Sequence, residues 1–89
     1  MTNNTFGFNK ALEIIKAGGK VSRDRSLNWF IFLVQGSTFQ VNRAPLNTIL
    51  PAGTEVNYRA HIDIMYDGNK VAVWYPNVTE LLAEDWFEV

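Results

Sequence analysis

Residues 57–76, NYRAHIDIMYDGNKVAVWYP, alternate polar and apolar side chains on both sides of Asp67-Gly68. A period of two is the repeat of a strand with one face toward a core and the other toward solvent, and Asp-Gly supplies the positive φ that tight hairpin turns need. The stretch therefore reads as an antiparallel hairpin. Parity places Tyr58, Ala60, Ile62, Ile64 and Tyr66 on one face and Asn57, Arg59, His61, Asp63 and Met65 on the other. A two- or four-residue loop within DGNK pairs Ile62 and Ile64 with Val71, Val73 or Tyr75, which puts Trp74 on the face of His61 and Asp63. An odd loop reverses that assignment.

The rest of the chain supplies partners for the hairpin. Phe8, Ala11, Leu12 and Ile15 recur at helical spacing opposite Lys10, Glu13 and Lys16, so residues 8–17 read as an amphipathic helix, stopped by Gly18-Gly19. NWFIFLV is aromatic and β-branched enough for a central strand with both faces partly covered, and TFQVNR alternates as a half-buried strand. APLNTILPAGTE is a loop, punctuated by two prolines and a glycine, with Leu46, Ile49 and Leu50 expected to fold it onto the core. A helical turn is expected over Thr79–Ala83 with Asn77 as its cap, and DWFEV as a last extended piece. The expected fold class is α+β: an N-terminal amphipathic helix packed on a small antiparallel β-sheet, in a single domain over residues 1–89.

Size and charge narrow the function. At 89 residues the chain is near the length where only about 60% of the surface is buried on folding, so oligomerisation is an expected source of stability. Cysteine is absent, which removes disulfides and thiolate metal sites and suits a reducing cytoplasm. A net charge of −1 with scattered Lys and Arg gives no footprint for nucleic acid. The apolar run Trp29–Val34 is too short to cross a bilayer, and the polar start MTNNT lacks the features of an export signal.

The polar face of the hairpin is poorly equipped for catalysis. One His and one Asp two residues apart point the same way about 7 Å apart on a strand, which suits bracketing a ligand better than forming a dyad. A zinc site needs three or four ligands, and His61 with Asp63 supplies two. GST at 36–38 lacks the lysine and helix of a phosphate loop. Binding asks for less: Arg59 suits a phosphate, His61 and Asp63 suit a base or ribose, and Trp74 offers a stacking face. Each has a plainer reading as well. Trp74 and Trp86 also suit a core or an interface, Arg43 before Ala-Pro suits tying down its loop, and a charged sheet face is commonly solvated.

The segments FNKALEIIKAGGKVSR, FLVQGSTFQVNRAPL, GTEVNYRAHIDI and TELLAEDW, in this order, resemble the Thoeris anti-defence two family of small bacteriophage proteins over nearly the whole chain. The resemblance implies a homotetrameric sponge with ligand pockets where protomers meet, acting in the cytoplasm of the infected bacterial host. It would bind the cyclic ADP-ribose (glycocyclic ADP-ribose) signal made by TIR proteins of the Thoeris system without degrading it, so that the effector is not activated. No cofactor and no catalytic residue are implied. Two departures stand out. Where members carry Gly-Trp-Asn-Gly after the arginine matching Arg23, this chain reads RSLN, with Ser26 at the usual tryptophan and Trp29 three residues on, either replacing that aromatic surface or serving packing. VAVWYPNVTE lacks the proline common before the tryptophan and the ASQTD run after it.

Sequestration demands nanomolar binding, about 12 kcal/mol, and so enclosure of the ligand rather than contact with one strand face. The expected ligand-binding set is therefore Arg59, His61 and Asp63 near a subunit interface, with Trp29, Thr38, Arg43 and Trp74 as lining. Two other classes remain open: a host-protein-binding module anchored by Trp29, Phe30 and Trp86, and a cyclic-nucleotide hydrolase with His61 as general base.

Overall fold

A computed structural model describes residues 4–89; the expectation drawn from the start MTNNT falls partly on residues 1–3, outside the described residues. The elements follow as α1 (Phe8–Lys16), β1 (Lys20–Ser22), β2 (Trp29–Val34), β3 (Ser37–Gln40), β4 (Glu55–Tyr58), β5 (His61–Tyr66), β6 (Lys70–Val73), α2 (Val78–Leu82) and β7 (Phe87–Glu88). Five strands form one antiparallel sheet in the order β6-β5-β2-β1-β7, and β3 pairs with β4 in a separate two-stranded ribbon. The architecture is α+β, as expected, with β2 at the centre of the sheet. Among the described residues no helix is long and apolar enough to cross a membrane.

The amphipathic stripe of α1 explains its seat. Ala11 and Ile15 are fully buried against Val21 and Ile31 on one face of the sheet. Gly18 then takes a φ of +98°, a left-handed turn that costs a glycine little, and Gly19 N–H bonds back to the Ile14 carbonyl at 2.9 Å. Aromatic rings finish this side. Trp86 is wholly buried, meets Trp29 and Trp74 edge to face at 5.9 Å each, and touches Phe8 at 5.4 Å. Its indole N–H donates to the Glu80 carbonyl at 3.0 Å, so the one polar atom of the ring is satisfied. The α2 turn that presents this carbonyl is fixed by a capping box: Asn77 Oδ1 accepts from Glu80 N–H and Glu80 Oε1 from Asn77 N–H.

The hairpin turn corrects the expected placement of Trp74. Tyr66 pairs with Lys70, so the loop holds three residues, Asp67 to Asn69. Asp67 and Gly68 have positive φ values of +50° and +81°, as a tight Asp-Gly turn requires, and Asn69 is one residue more than a two-residue turn holds. The odd count shifts β6 by one. Val71 and Val73 now lie on the face of Met65 and Asp63, while Trp74, whose N–H donates to the Ile62 carbonyl at 2.8 Å, joins Ile62 and Ile64 in the core.

The second ribbon continues the first. Val34 pairs with His61 and Ser37 with Tyr58, so the register passes unbroken through Gln35-Gly36 and Arg59-Ala60 even though the strands are interrupted there. A Cβ on Gly36 would lie 2.7 Å from the Tyr58 carbonyl oxygen, and only glycine lets the two backbones cross that closely. Beyond this crossing β3, β4 and their loop project as an arm, which gives the molecule its length of 54 Å against 25 and 23 Å across. Leu46, Ile49 and Leu50 were expected on the core; they sit instead at the arm's tip, with Ile49 71% exposed. The reason is local closure. Val41 N–H bonds the Thr54 carbonyl and Gly53 N–H the Val41 carbonyl, both at 2.9 Å, so the loop folds around the buried Val41 and never reaches the body.

Candidate functional site

With α1 and the tryptophans on one face, the opposite face of the five-stranded sheet is left without a helix among the described residues. It carries Phe30, Phe32 and Val34 from β2, Met65 from β5, and Val71 and Val73 from β6, the last two 49% and 45% exposed. Lys20 lays its ammonium 5.2 Å over the Phe30 ring. Into this apolar surface β5 inserts one charge, Asp63, between Phe32 and Val73 in neighbouring strands.

A carboxylate in such a setting needs a partner, and His61 provides it. The expectation that a two-residue spacing keeps the pair apart is overturned: His61 Nε2 lies 3.2 Å from Asp63 Oδ1, with the His and Asp side chains 27% and 15% exposed. Backbone spacing along a strand sets where the Cβ atoms are, but both side chains have rotatable bonds that let their tips converge. His61 Nδ1 lies 3.2 Å from the Arg59 carbonyl oxygen, so both ring nitrogens face acceptors. The pair stands where the arm leaves the sheet. There the chain twists enough that Tyr58, on the opposite parity, brings its ring centroid 5.9 Å from that of His61, and Phe39 follows 6.2 Å from Tyr58.

The seven residues expected to bind ligand fall in three places. Arg59, His61 and Asp63 are together at the base of the arm, with Arg59 exposed. Thr38 and Arg43 are on the arm itself: Thr38 is exposed and pairs with Asn57, and Arg43 lines a cavity of about 400 Å³ with Phe39 and Leu46 at the tip. Trp29 and Trp74 lie on the helix side of the sheet, both against Trp86, and Trp74 is 8% exposed. Neither tryptophan shares a face with His61 and Asp63. Two residues the alternation pattern assigned to the core side, Tyr58 and Tyr75, are 52% and 82% exposed instead, with Tyr58 against His61. The signal for Tyr75 was the parity of the hairpin loop.

Two further cavities lie elsewhere, one of about 470 Å³ between α1 and β7 near Lys10 and Arg25, and one of about 360 Å³ on the open face near Lys20 and Phe30. None of the three is lined by Arg59, His61 or Asp63. The loop between β1 and β2, where Ser26 stands, is built by Asp24, whose carboxylate oxygens accept from Ser26 N–H at 2.9 Å and Asn28 N–H at 3.2 Å. Arg23 clamps that loop to the end of the chain through two hydrogen bonds to Asp85. The guanidinium holds the Asp85 carboxyl below its ordinary pKa, and the carboxylate in turn raises that of Arg23.

The family model described as the Thoeris anti-defense 2-like domain matches residues 6–89. The chain belongs to this family. The matched span takes in every element from α1 to β7, so the Thoeris anti-defense 2-like domain includes both the helix-backed sheet and the arm. Thoeris anti-defense is the activity that the family's description assigns. No curated protein matches the sequence.

Proposed function

We propose that this Thoeris anti-defense 2-like protein is a bacteriophage sponge that sequesters a cyclic ADP-ribose signal made by TIR proteins, in the cytoplasm of the infected host and without degrading it. Family membership over residues 6–89 is the observation that carries the reading. The site's chemistry is consistent with it. A half-buried carboxylate bonded to an imidazole offers acceptors and donors to ribose hydroxyls and base edges, and the exposed Arg59 beside them suits a phosphate.

The single chain leaves this surface open, so the proposal includes a homotetramer in which a second copy supplies the missing wall. The uncovered apolar sheet face that borders His61 and Asp63 is the surface such a copy would cover, since exposed patches of this kind mark association sites. The arm projects beyond the sheet and is long enough to bring Thr38 and Arg43 to a neighbour.

The test is to express the protein alongside an active TIR signal producer, purify it, heat-denature it and weigh the released nucleotide by mass spectrometry. Recovery of the intact cyclic species is expected. A linear product points to the hydrolase reading with His61 as base, and no nucleotide at all points to a protein-binding module. Sedimentation equilibrium of the same preparation is expected to give the mass of four chains.

A further inference from the structure

We infer that Tyr75, together with Tyr58 beside the His61 ring, forms the stacking surface for the ligand's base, the role that alternation alone gave to Trp74. This deepens the nucleotide reading above and rests on it.

The placement follows from register. Asp63 pairs with Val73, and the Trp74 N–H to Ile62 carbonyl bond carries the pairing one residue further, which sets Tyr75 opposite His61. Alternation then turns Tyr75 to the face of Val73 and Asp63, away from the core that holds Trp74. Its exposure agrees: at 82% it is the most exposed large apolar side chain among the described residues. The backbone beneath it is held on both sides. Trp74 is anchored in the core before it, and after it come Pro76 and the capping box of Asn77. With the backbone held, only the two side-chain torsions of the ring remain to be ordered when a ligand stacks on it.

Tyr58 has its ring tilted by 56° to that of His61 at 5.9 Å, with half its surface free. Tyr58 thus packs beside the His61 imidazole, register sets Tyr75 opposite His61 on the continuation of β6, and Arg59 follows Tyr58 in the chain. A ligand that uses all of these groups carries an aromatic base, hydroxyls able to donate to a carboxylate, and a phosphate. Such a ligand is a nucleotide with one free face of its base. A phosphorylated sugar without a base would leave both tyrosines unused.

The experiment is calorimetry of cyclic ADP-ribose isomers with the full chain and with Tyr75→Ala, Tyr75→Phe, Tyr58→Ala and Asp63→Ala, together with melting curves and ring-proton NMR of the loaded parent. Tyr75→Ala is expected to weaken binding by about ten- to a hundredfold, the worth of one stacked base. Its melting temperature is expected to stay that of the parent, and Tyr75→Phe to restore most of the affinity. The Tyr75 ring protons are expected to move upfield on loading. Parent-like binding by Tyr75→Ala while Asp63→Ala loses it overturns the stacking role and leaves the nucleotide reading standing. Equal losses in Tyr75→Ala and Tyr75→Phe, or ring protons that do not move, also overturn it. A parent that takes up no ADP-ribose derivative overturns the nucleotide reading itself, and this inference with it.

Discussion

The His61 imidazole and the Asp63 carboxylate, two residues apart on β5, meet at 3.2 Å on the uncovered face of the sheet. The contact joins a half-buried carboxylate to its partner at the point where the arm departs.

Asp63→Asn removes the charge and keeps the shape. The amide keeps the volume of the carboxylate and can still hydrogen-bond the His61 ring, so the cost to folding is small, about 1 kcal/mol. Urea unfolding of the variant is therefore expected to stay within that margin of the parent. Binding of cyclic ADP-ribose, measured by calorimetry, is expected to fall at least about tenfold, since a charge-assisted bond to the ligand is lost. Affinity equal to the parent's would remove Asp63 from the site.

Trp86→Ala empties the centre of the core. The ring is fully buried, touches Phe8, Trp29 and Trp74, and satisfies the Glu80 carbonyl. Substitutions of this type cost about 3–5 kcal/mol, a large part of the stability of a small domain. Chemical denaturation is expected to show that loss, with Trp86→Phe losing less. A variant as stable as the parent would contradict the placement of Trp86.

The Arg23–Asp85 clamp predicts a pH dependence. Because the folded Asp85 pKa is depressed, its contribution is present above the ordinary aspartate range, near about pH 4, and disappears as pH falls through the lowered value. Arg23→Ala is thus expected to be less stable than the parent at pH 7, with the gap closing as the solution is acidified below about pH 4. Melting temperatures of the two proteins across pH 2–7 check this, and curves that stay parallel to the acid end would rule it out. The Arg23 and Asp85 side chains are 26% and 57% exposed, so water still screens the pair and the gap is expected to be small.

Gly36→Ala tests the crossing at the root of the arm. The added methyl carbon would stand 2.7 Å from the Tyr58 carbonyl and 3.1 Å from the Ala60 nitrogen, both backbone atoms that move only if the ribbon opens. Hydrogen exchange is expected to speed up in β3 and β4 while the amides of β1 and β2 keep their protection. Uniform protection across both ribbons would show that the crossing tolerates a side chain.

The local chemistry of the chain determined a good deal. The apolar stripe of Phe8 to Ile15 with Gly18 behind it set α1; the dense run at Trp29–Val34 set the central strand; Asn77 set the α2 cap; and the family-bearing segments run from Phe8 to Trp86. These features are written within a few residues of one another, where periodicity and capping act. Only the tertiary structure decided what depends on counts and directions between segments. One extra residue, Asn69, moved Trp74 into the core and Tyr75 out of it, because a pleat turns each side chain to the opposite face at every step. Rotation about side-chain bonds closed His61 on Asp63, and the close crossing at Gly36 carried Thr38, Arg43 and the loop leucines away from the body.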